Sequence, residues 1–334
     1  MKTSFWIPFF AVCYLLLLSA LFFLPSFKGQ GSLINPLGPK IKEKQPQPLL
    51  KYSFENLKQR GYQGSEIKLE KIIKKEDKYT SWLFSFQSDG QKVTGMLNLP
   101  QKQGKMPVIV MLRGYADDTI YFTGLGTRKA AGVLAENGFI TLAPDFLGFG
   151  GSDTASADIL EARFEKPITV LNLLVSIKNL SQADENKIQI WAHSNGGQIA
   201  LSVLEISQKP IPTVLWAPVT KGFPESVLQY MTDLDDQGLK VKKSIDDFVV
   251  LYEEKNYSID NYWNDIKASL QVHQGTADEY IDTEWTDSFV QTLKGLGKNV
   301  TYYKYPKNDH NFSRDWDLVV QRDLQFFKKN LMLK

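Results

Sequence analysis

The chain of 334 residues has one cysteine, Cys13, and three histidines. A single cysteine excludes an internal disulfide and a cysteine-rich metal site, so thiol usage says nothing about the redox compartment. An excess of one charge is also missing: 39 Lys and Arg stand against 37 Asp and Glu, for a net charge of +2, and there is no basic block interleaved with aromatics. That removes the electrostatic footprint of a nucleic-acid binder. There is no internal repeat and no low-complexity tract, which sets aside solenoids and arrays. The scarcity of histidine has the sharpest consequence, because an imidazole base must be His193, His273 or His310.

Apolar sequence is plentiful: 43% of positions are hydrophobic, enough for one large core at a length that a single domain accommodates. The longest apolar run, Phe5 to Leu24 (FWIPFFAVCYLLLLSALFFL), has the roughly 20 residues that a helix needs to cross a bilayer. Lys2 precedes it, Pro25 follows it, and Ser19-Ala20-Leu21 runs into Phe22 and Phe23 instead of a cleavage site. Residues 1–27 are therefore expected to be an uncleaved signal anchor, with Cys13 packed in lipid and the remainder outside the cytoplasm. Lys28, Lys40, Lys42 and Lys44 oppose that orientation under the positive-inside rule.

Residues 28–50, rich in proline, glycine and lysine without helical or strand period, are expected to be an extended tether. The folded domain is expected over 51–334. Ile67–Ile73, Tyr79–Phe86 and Lys92–Leu99 form alternating runs with Ser88-Asp89-Gly90 as a hairpin turn, so the domain begins antiparallel. From Val108 onward, strands at 108–112, a pure apolar run, and at 140–143, 188–192, 213–216, 270–273 and 300–305 alternate with helical patterns near 128–137, 159–180, 198–206, 283–295 and 315–331. This alternation predicts an α/β fold with a mostly parallel sheet covered on both faces. About 220–265, charged and aromatic with no strand signal, is expected to be a helical lid insert.

The stretch IWAHSNGGQIAL, 190–201, runs from an apolar strand through Ser-Asn-Gly-Gly into a helical pattern. In G-x-S-x-G the turn is so tight that its flanking positions must be nearly free of side chain, which exposes the serine hydroxyl at a helix N-terminus. Here Ala192 replaces the first glycine, while Gly196 and Gly197 are present. His193 precedes the serine, and strand alternation points it to the opposite side as a packing residue. His310 lies in YPKNDHNF, directly after the strand 300–305, and Asp278 lies in VHQGTADEYID after the strand ending at His273. Ser194, Asp278 and His310 thus follow the Ser…Asp…His order, each on a loop after its own strand. Asp282 fits a helix cap, and His273 is expected to pack or bond within its own loop. VIVMLRGYADD, 108–118, places Arg113-Gly114-Tyr115 after a strand, where the backbone N–H of Tyr115 would pair with that of Asn195 as an oxyanion hole. Asp117 and Asp118 are solvated turn residues, with the capture of a substrate amine as the sharper alternative.

The blocks PVIVMLRGYAD, APDFLGFGGSD, WAHSNGGQIAL, VHQGTADEYID and VTYYKYPKNDHNF resemble, in order and spacing, the catalytic domain of the prolyl oligopeptidase family of serine peptidases, within the α/β-hydrolase fold, over about residues 90 to 331. The resemblance implies Ser194 as nucleophile, Asp278 as acid, His310 as base, and Tyr115 and Asn195 as oxyanion donors. This chemistry requires no cofactor and no metal, and the expected partners are a small peptide or ester substrate and the membrane. Three departures stand out: Ala192 for glycine, Arg113 where many relatives have His or Asn, and no β-propeller ahead of the catalytic domain. A peptidase and a carboxylesterase therefore both remain open. A non-catalytic binding module on this fold would have a damaged triad, and all three positions are intact.

Overall fold

The computed structural model describes residues 45–230 and 236–332. The expected anchor, 1–27, lies outside them, as does most of the tether. Among the described residues no helix is long and apolar enough to cross a membrane. Nine strands form one sheet: β1 (Lys68–Lys75), β2 (Tyr79–Ser88), β3 (Gln91–Pro100), β4 (Met106–Leu112), β5 (Ile140–Pro144), β6 (Ala183–His193), β7 (Thr213–Trp216), β8 (Leu270–Gly275) and β9 (Val300–Tyr305). Their spatial order is β1-β2-β3-β5-β4-β6-β7-β8-β9. β1, β2, β3 and β5 pair antiparallel in succession, and from β5 through β4 to β9 every pairing is parallel.

The two halves follow from local chemistry. At the β2–β3 hairpin, Asp89 and Gly90 both adopt positive φ, 51° and 82°, the left-handed pair that matches strand twist in a two-residue turn. β4 is apolar throughout because both of its faces are covered. Val108, Val110 and Leu112 enter one core with the helices Lys166–Ser176 and Asn195–Ser207, while Ile109 and Met111 enter the other with the helices Arg128–Glu136 and Trp316–Met332.

Three expectations change. The helical pattern over 159–180 is broken into Ile159–Phe164, Lys166–Ser176 and a 3₁₀ turn at Ile177–Asn179. Pro167 has no N–H for a carbonyl one turn earlier, so the helix restarts with the proline in its first turn. The tether ends sooner than residue 50, since the compact unit begins at Pro46. Leu49 is buried, donates its N–H to the Tyr252 hydroxyl at 2.9 Å and accepts from the Tyr257 hydroxyl at 3.1 Å. His273 bonds outside its own loop: Nδ1 meets the Tyr305 hydroxyl at 2.8 Å and Nε2 lies 3.0 Å from Asp323 Oδ1 on the C-terminal helix. The other oxygen of Asp323 accepts from the indoles of Trp191 (3.2 Å) and Trp216 (2.8 Å), a polar tie between that helix and β6–β8.

Between β7 and β8 the described residues hold helices Glu225–Leu228 and Leu239–Leu251, then 3₁₀ turns ending at Asp265. Phe223, Phe248 and Tyr257 gather round Phe164 with ring centroids 5.3, 5.9 and 5.2 Å away, so the insert is sealed onto the domain by aromatic packing.

Glu205 breaks the usual rule for buried acids. It is fully buried in the helix Asn195–Ser207, and neither carboxylate oxygen has a hydrogen-bond partner. Burial, and then the charges of Asp265 and Asp260, push its pKa well above the ordinary value. The folded chain therefore holds a proton that the unfolded chain releases near pH 4.3. The contribution to stability is complete below that pH and is lost as pH rises through the raised pKa. Glu205→Leu removes the unpaired carboxyl, and the expected result is a gain of about 1–3 kcal/mol at pH 8 that shrinks toward pH 5. Thermal unfolding at both pH values checks this, and a loss of stability at pH 8 contradicts it.

Candidate active site

β6 ends at His193, and Ser194 turns the chain with φ 57° and ψ −124° before the helix Asn195–Ser207 starts. A non-glycine residue in this region is held there only by its surroundings, and the surroundings are tight. A Cβ on Gly196 would sit 2.3 Å from the Leu112 carbonyl oxygen, and one on Gly197 would sit 2.6 Å from Pro218 Cβ. The glycines after the serine are thus a steric requirement of packing the elbow against the ends of β4 and β7. Ala192, the position that departs from the glycine pattern, is fully buried in the sheet opposite Leu112 and Leu215.

The loop after β4 touches the elbow directly. A Cβ on Gly114 would lie 2.9 Å from Ser194 Cβ and 3.3 Å from its Oγ, so glycine is what lets that backbone reach the serine. Tyr115 follows Gly114 directly in the same loop and is 79% exposed. Asn195 opens the helix, where an N–H has no intrahelical carbonyl to serve. Arg113 fastens the loop from behind: it is buried, donates to the carbonyls of Gly114 (3.0 Å) and Asp145 (3.1 Å), and lies over the rings of Tyr121 and Phe149. Burial lowers its pKa. Asp145 anchors the same loop by accepting from Tyr121 and Thr123 hydroxyls at 2.6 and 3.0 Å. Asp117 caps the turn Asp118–Ile120 through the N–H and hydroxyl of Thr119.

Asp278, in the loop after β8, has a fully buried carboxylate whose two oxygens each lie 3.0 Å from His310 Nδ1. Its Oδ1 accepts the N–H groups of Tyr280 and Ile281, both at 2.9 Å, and its Oδ2 accepts from Gln274 Nε2 at 2.9 Å. Burial alone would raise the Asp278 pKa, but the His310 imidazole and the two backbone donors hold it below the usual carboxylate range. The carboxylate accepts the Nδ1 proton, which leaves His310 Nε2 as the basic nitrogen.

His310 lies in the loop after β9 and is itself held on three sides. Its N–H donates to Glu279 Oε2 at 3.3 Å, its carbonyl accepts from His193 Nε2 at 3.1 Å, and its ring sits 4.6 Å from the His193 ring and 5.2 Å from the Tyr280 ring. Burial first, then the nearby His310, push the His193 pKa down to about 4, so His193 stays neutral and serves as donor. The expectation of a packing residue on the face opposite Ala192 leaves out this hydrogen bond to His310. Alternation still holds at this strand end, since His193 lies on the face of Trp191, 6.3 Å from its ring, while Ala192 enters the opposite core. The structure brings Asp278 and His310 into direct contact and places Gly114 and Asn195 at Ser194, but no hydrogen bond joins Ser194 Oγ to His310. Such contacts often tighten only when substrate is bound. Asp282 caps the helix Thr283–Gly295 through the N–H of Glu284.

Two cavities flank the elbow. One of about 670 Å³ is bordered by Trp191, His193, Trp216 and Trp316. The other, about 50 Å³, is a slot along the helix Asn195–Ser207, bordered by Asn195, Arg163, Lys166, Phe223 and Tyr257.

A model of the prolyl oligopeptidase family matches residues 126–334, a span that holds Ser194, Asp278 and His310. A comparison with curated proteins finds no match. Among solved structures the chain is similar to acetyl xylan esterase 1 from Thermoanaerobacterium sp., with 16% identity and a TM-score of 0.57 over 84% of this chain and 93% of that one. It is similar to the acylaminoacyl peptidase of Pyrococcus horikoshii, with 20% identity and a TM-score of 0.56 over 77% of this chain and 42% of that one. It is also similar to an S-formylglutathione hydrolase from Agrobacterium tumefaciens, with 16% identity and a TM-score of 0.57 over 78% and 99% of the two chains. At these identities the likeness establishes the fold, which is that of the α/β-hydrolases.

Proposed function

This chain belongs to the prolyl oligopeptidase family, and from that premise we propose that it is a serine hydrolase that passes its substrate through an acyl-enzyme on Ser194. The observation that carries the reading is the buried Asp278 carboxylate with both oxygens 3.0 Å from His310 Nδ1, beside a serine held at φ 57° against Gly114. In the first step His310 Nε2 takes the proton of Ser194 Oγ as Oγ bonds to the substrate carbonyl carbon, and the N–H groups of Tyr115 and Asn195 hold the oxyanion. The bond to the leaving amine or alcohol then breaks, and His310 returns the proton to it. Water repeats the sequence on the acyl-serine and releases the acid.

Peptide and amide bonds are the substrates the family suggests. Small acyl esters are a second reading, favoured by the small volume, about 50 Å³, of the slot that borders Asn195. Phe5–Leu24 is proposed to anchor the chain in a membrane with the catalytic domain outside the cytoplasm. The test is labelling of the full chain with a fluorophosphonate, followed by hydrolysis of aminoacyl 4-nitroanilides and short 4-nitrophenyl esters. Labelling is expected in the wild type and is expected to vanish in His310→Ala; a folded wild type that does not label ends the hydrolase reading. Ester cleavage without any nitroanilide cleavage removes the peptidase branch.

A further inference from the structure

Resting on the acyl-enzyme reading, the geometry points to an anion subsite in the slot beside Asn195, formed by Arg163 and Lys166, that selects substrates whose acyl group carries a carboxylate.

Both cations border the same slot as Asn195, the residue that follows the proposed nucleophile. Arg163 donates through Nη2 to Gln198 Oε1 and, at 3.1 Å, to Ser226 Oγ. Gln198 lies about 4.5 Å along the axis from Asn195, so the guanidinium is moored to the first turn of the helix that follows the proposed nucleophile. Those two partners are neutral, and Gln198 is itself fixed by the Lys221 carbonyl and Ser226. They orient the charge without cancelling it. Lys166 makes neither a hydrogen bond nor an ion pair among the described residues.

The acids on the same helical turns form no bond to Arg163 or Lys166, and Glu165 offsets Lys166 only in part. Glu161 is bound by Lys51, Ser156 and Tyr52. Glu165 has one buried oxygen without a partner, and burial raises its pKa. Two half-buried cations side by side, with no carboxylate bonded to either and only the neighbouring Glu165 acting on Lys166, are costly, and a carboxylate of complementary shape lowers that cost. The strain is visible in the groups themselves: burial pushes Arg163 down to about 10, and burial together with the charges of Arg163 and Arg113 pushes Lys166 down to about 8. Apart from Gln198 and Ser202, the remaining wall, which includes Phe54, Phe223, Tyr257 and Ile259, is apolar or aromatic and suits a short methylene link. A carboxylate about three bonds beyond the scissile carbonyl is the acyl group proposed to bring its charge to these cations. A succinyl group and the side chain of an aspartyl residue share that skeleton.

The test measures kcat/KM of the full chain for the 4-nitrophenyl monoester of succinate and for 4-nitrophenyl butyrate, each corrected for uncatalysed hydrolysis. A parallel pair, N-acetyl-aspartyl and N-acetyl-asparaginyl 4-nitroanilide, distinguishes an acyl diacid from an acidic residue as the source of the carboxylate. The wild type is expected to prefer the charged member of at least one pair by about tenfold or more, the scale of a charge-assisted hydrogen bond. Lys166→Met and Arg163→Met are each expected to lower that ratio about tenfold, and Lys166→Arg to restore it. A merely structural role would lower both members of a pair alike. A wild type that is labelled by fluorophosphonate yet prefers the neutral members overturns the subsite alone, as does a preference that survives both methionine variants. A wild type that neither labels nor cleaves any of the four overturns the hydrolase reading and the subsite with it.

Discussion

Ser194→Ala is expected to lower turnover by about 10⁶ and to leave the fold intact. The hydroxyl oxygen is the only atom removed, and alanine enters the same φ 57° turn with the same Cβ against Gly114. The strain of the elbow is therefore unchanged, as are its hydrogen bonds, the Ser194 N–H to the Trp216 carbonyl at 2.9 Å and the Val219 N–H to the Ser194 carbonyl at 3.0 Å. What survives is the polarising effect of the oxyanion donors on a bound carbonyl, about 10³–10⁴ over water. Single-turnover kinetics with an activated ester, alongside circular dichroism, checks this. A variant that keeps a tenth of wild-type turnover would show that the chemistry lies elsewhere, with the 670 Å³ cavity at Trp191 and His193 the next place to look.

Asp278→Asn is expected to cost on the order of 10⁴ in kcat, far more than its small change in shape suggests. The carboxylate is surrounded by donors: two backbone N–H groups on Oδ1, the Gln274 amide on Oδ2, and the imidazole N–H across both. An asparagine keeps its single oxygen for Tyr280 and Ile281 and must then turn its NH₂ toward His310. That reverses the tautomer and puts the proton on Nε2, the nitrogen that has to receive one. Gln274 cannot adapt easily, because its own oxygen is engaged by Thr286 at 2.9 Å. Rate against pH, with the imidazole resonances followed by NMR, checks the loss and its cause. A kcat within tenfold of wild type would mean that Asp278 positions a loop and nothing more.

The parallel half of the sheet was legible because β4 and β7 are buried on both faces and read as nearly continuous apolar runs, and the loops carrying Asp278 and His310 were placed by the ends of the strands β8 and β9. The hairpin at Asp89-Gly90 was equally open, since its turn chemistry is local. The parts that stayed hidden depend on distant partners. Nothing in His193 indicates that its Nε2 meets a carbonyl 117 residues away, and nothing in Arg163 or Lys166 indicates that both border a slot beside Asn195. Arg113, noticed only as a departure from a pattern, is the buried clamp of the loop behind Ser194. Pro167 did carry a usable signal: a proline inside a helical period marks a break, and that break falls directly beside Lys166.

The place where the chain enters the domain has a mechanical consequence. Leu49 is bonded on one side to Tyr252 and on the other to Tyr257, and Tyr257, Tyr52, Phe54 and Leu57 all border the slot at Asn195. A pull on the backbone at Pro46 is therefore carried through two hydrogen bonds into the wall of that slot. A cut made between Pro46 and Phe54 to release the domain would loosen the wall while sparing Ser194, Asp278 and His310. Whatever holds the chain upstream of Pro46 shares a load path with the slot proposed to choose the acyl group, so on that proposal tension there would change which substrates are accepted before it changed how fast any of them is cleaved.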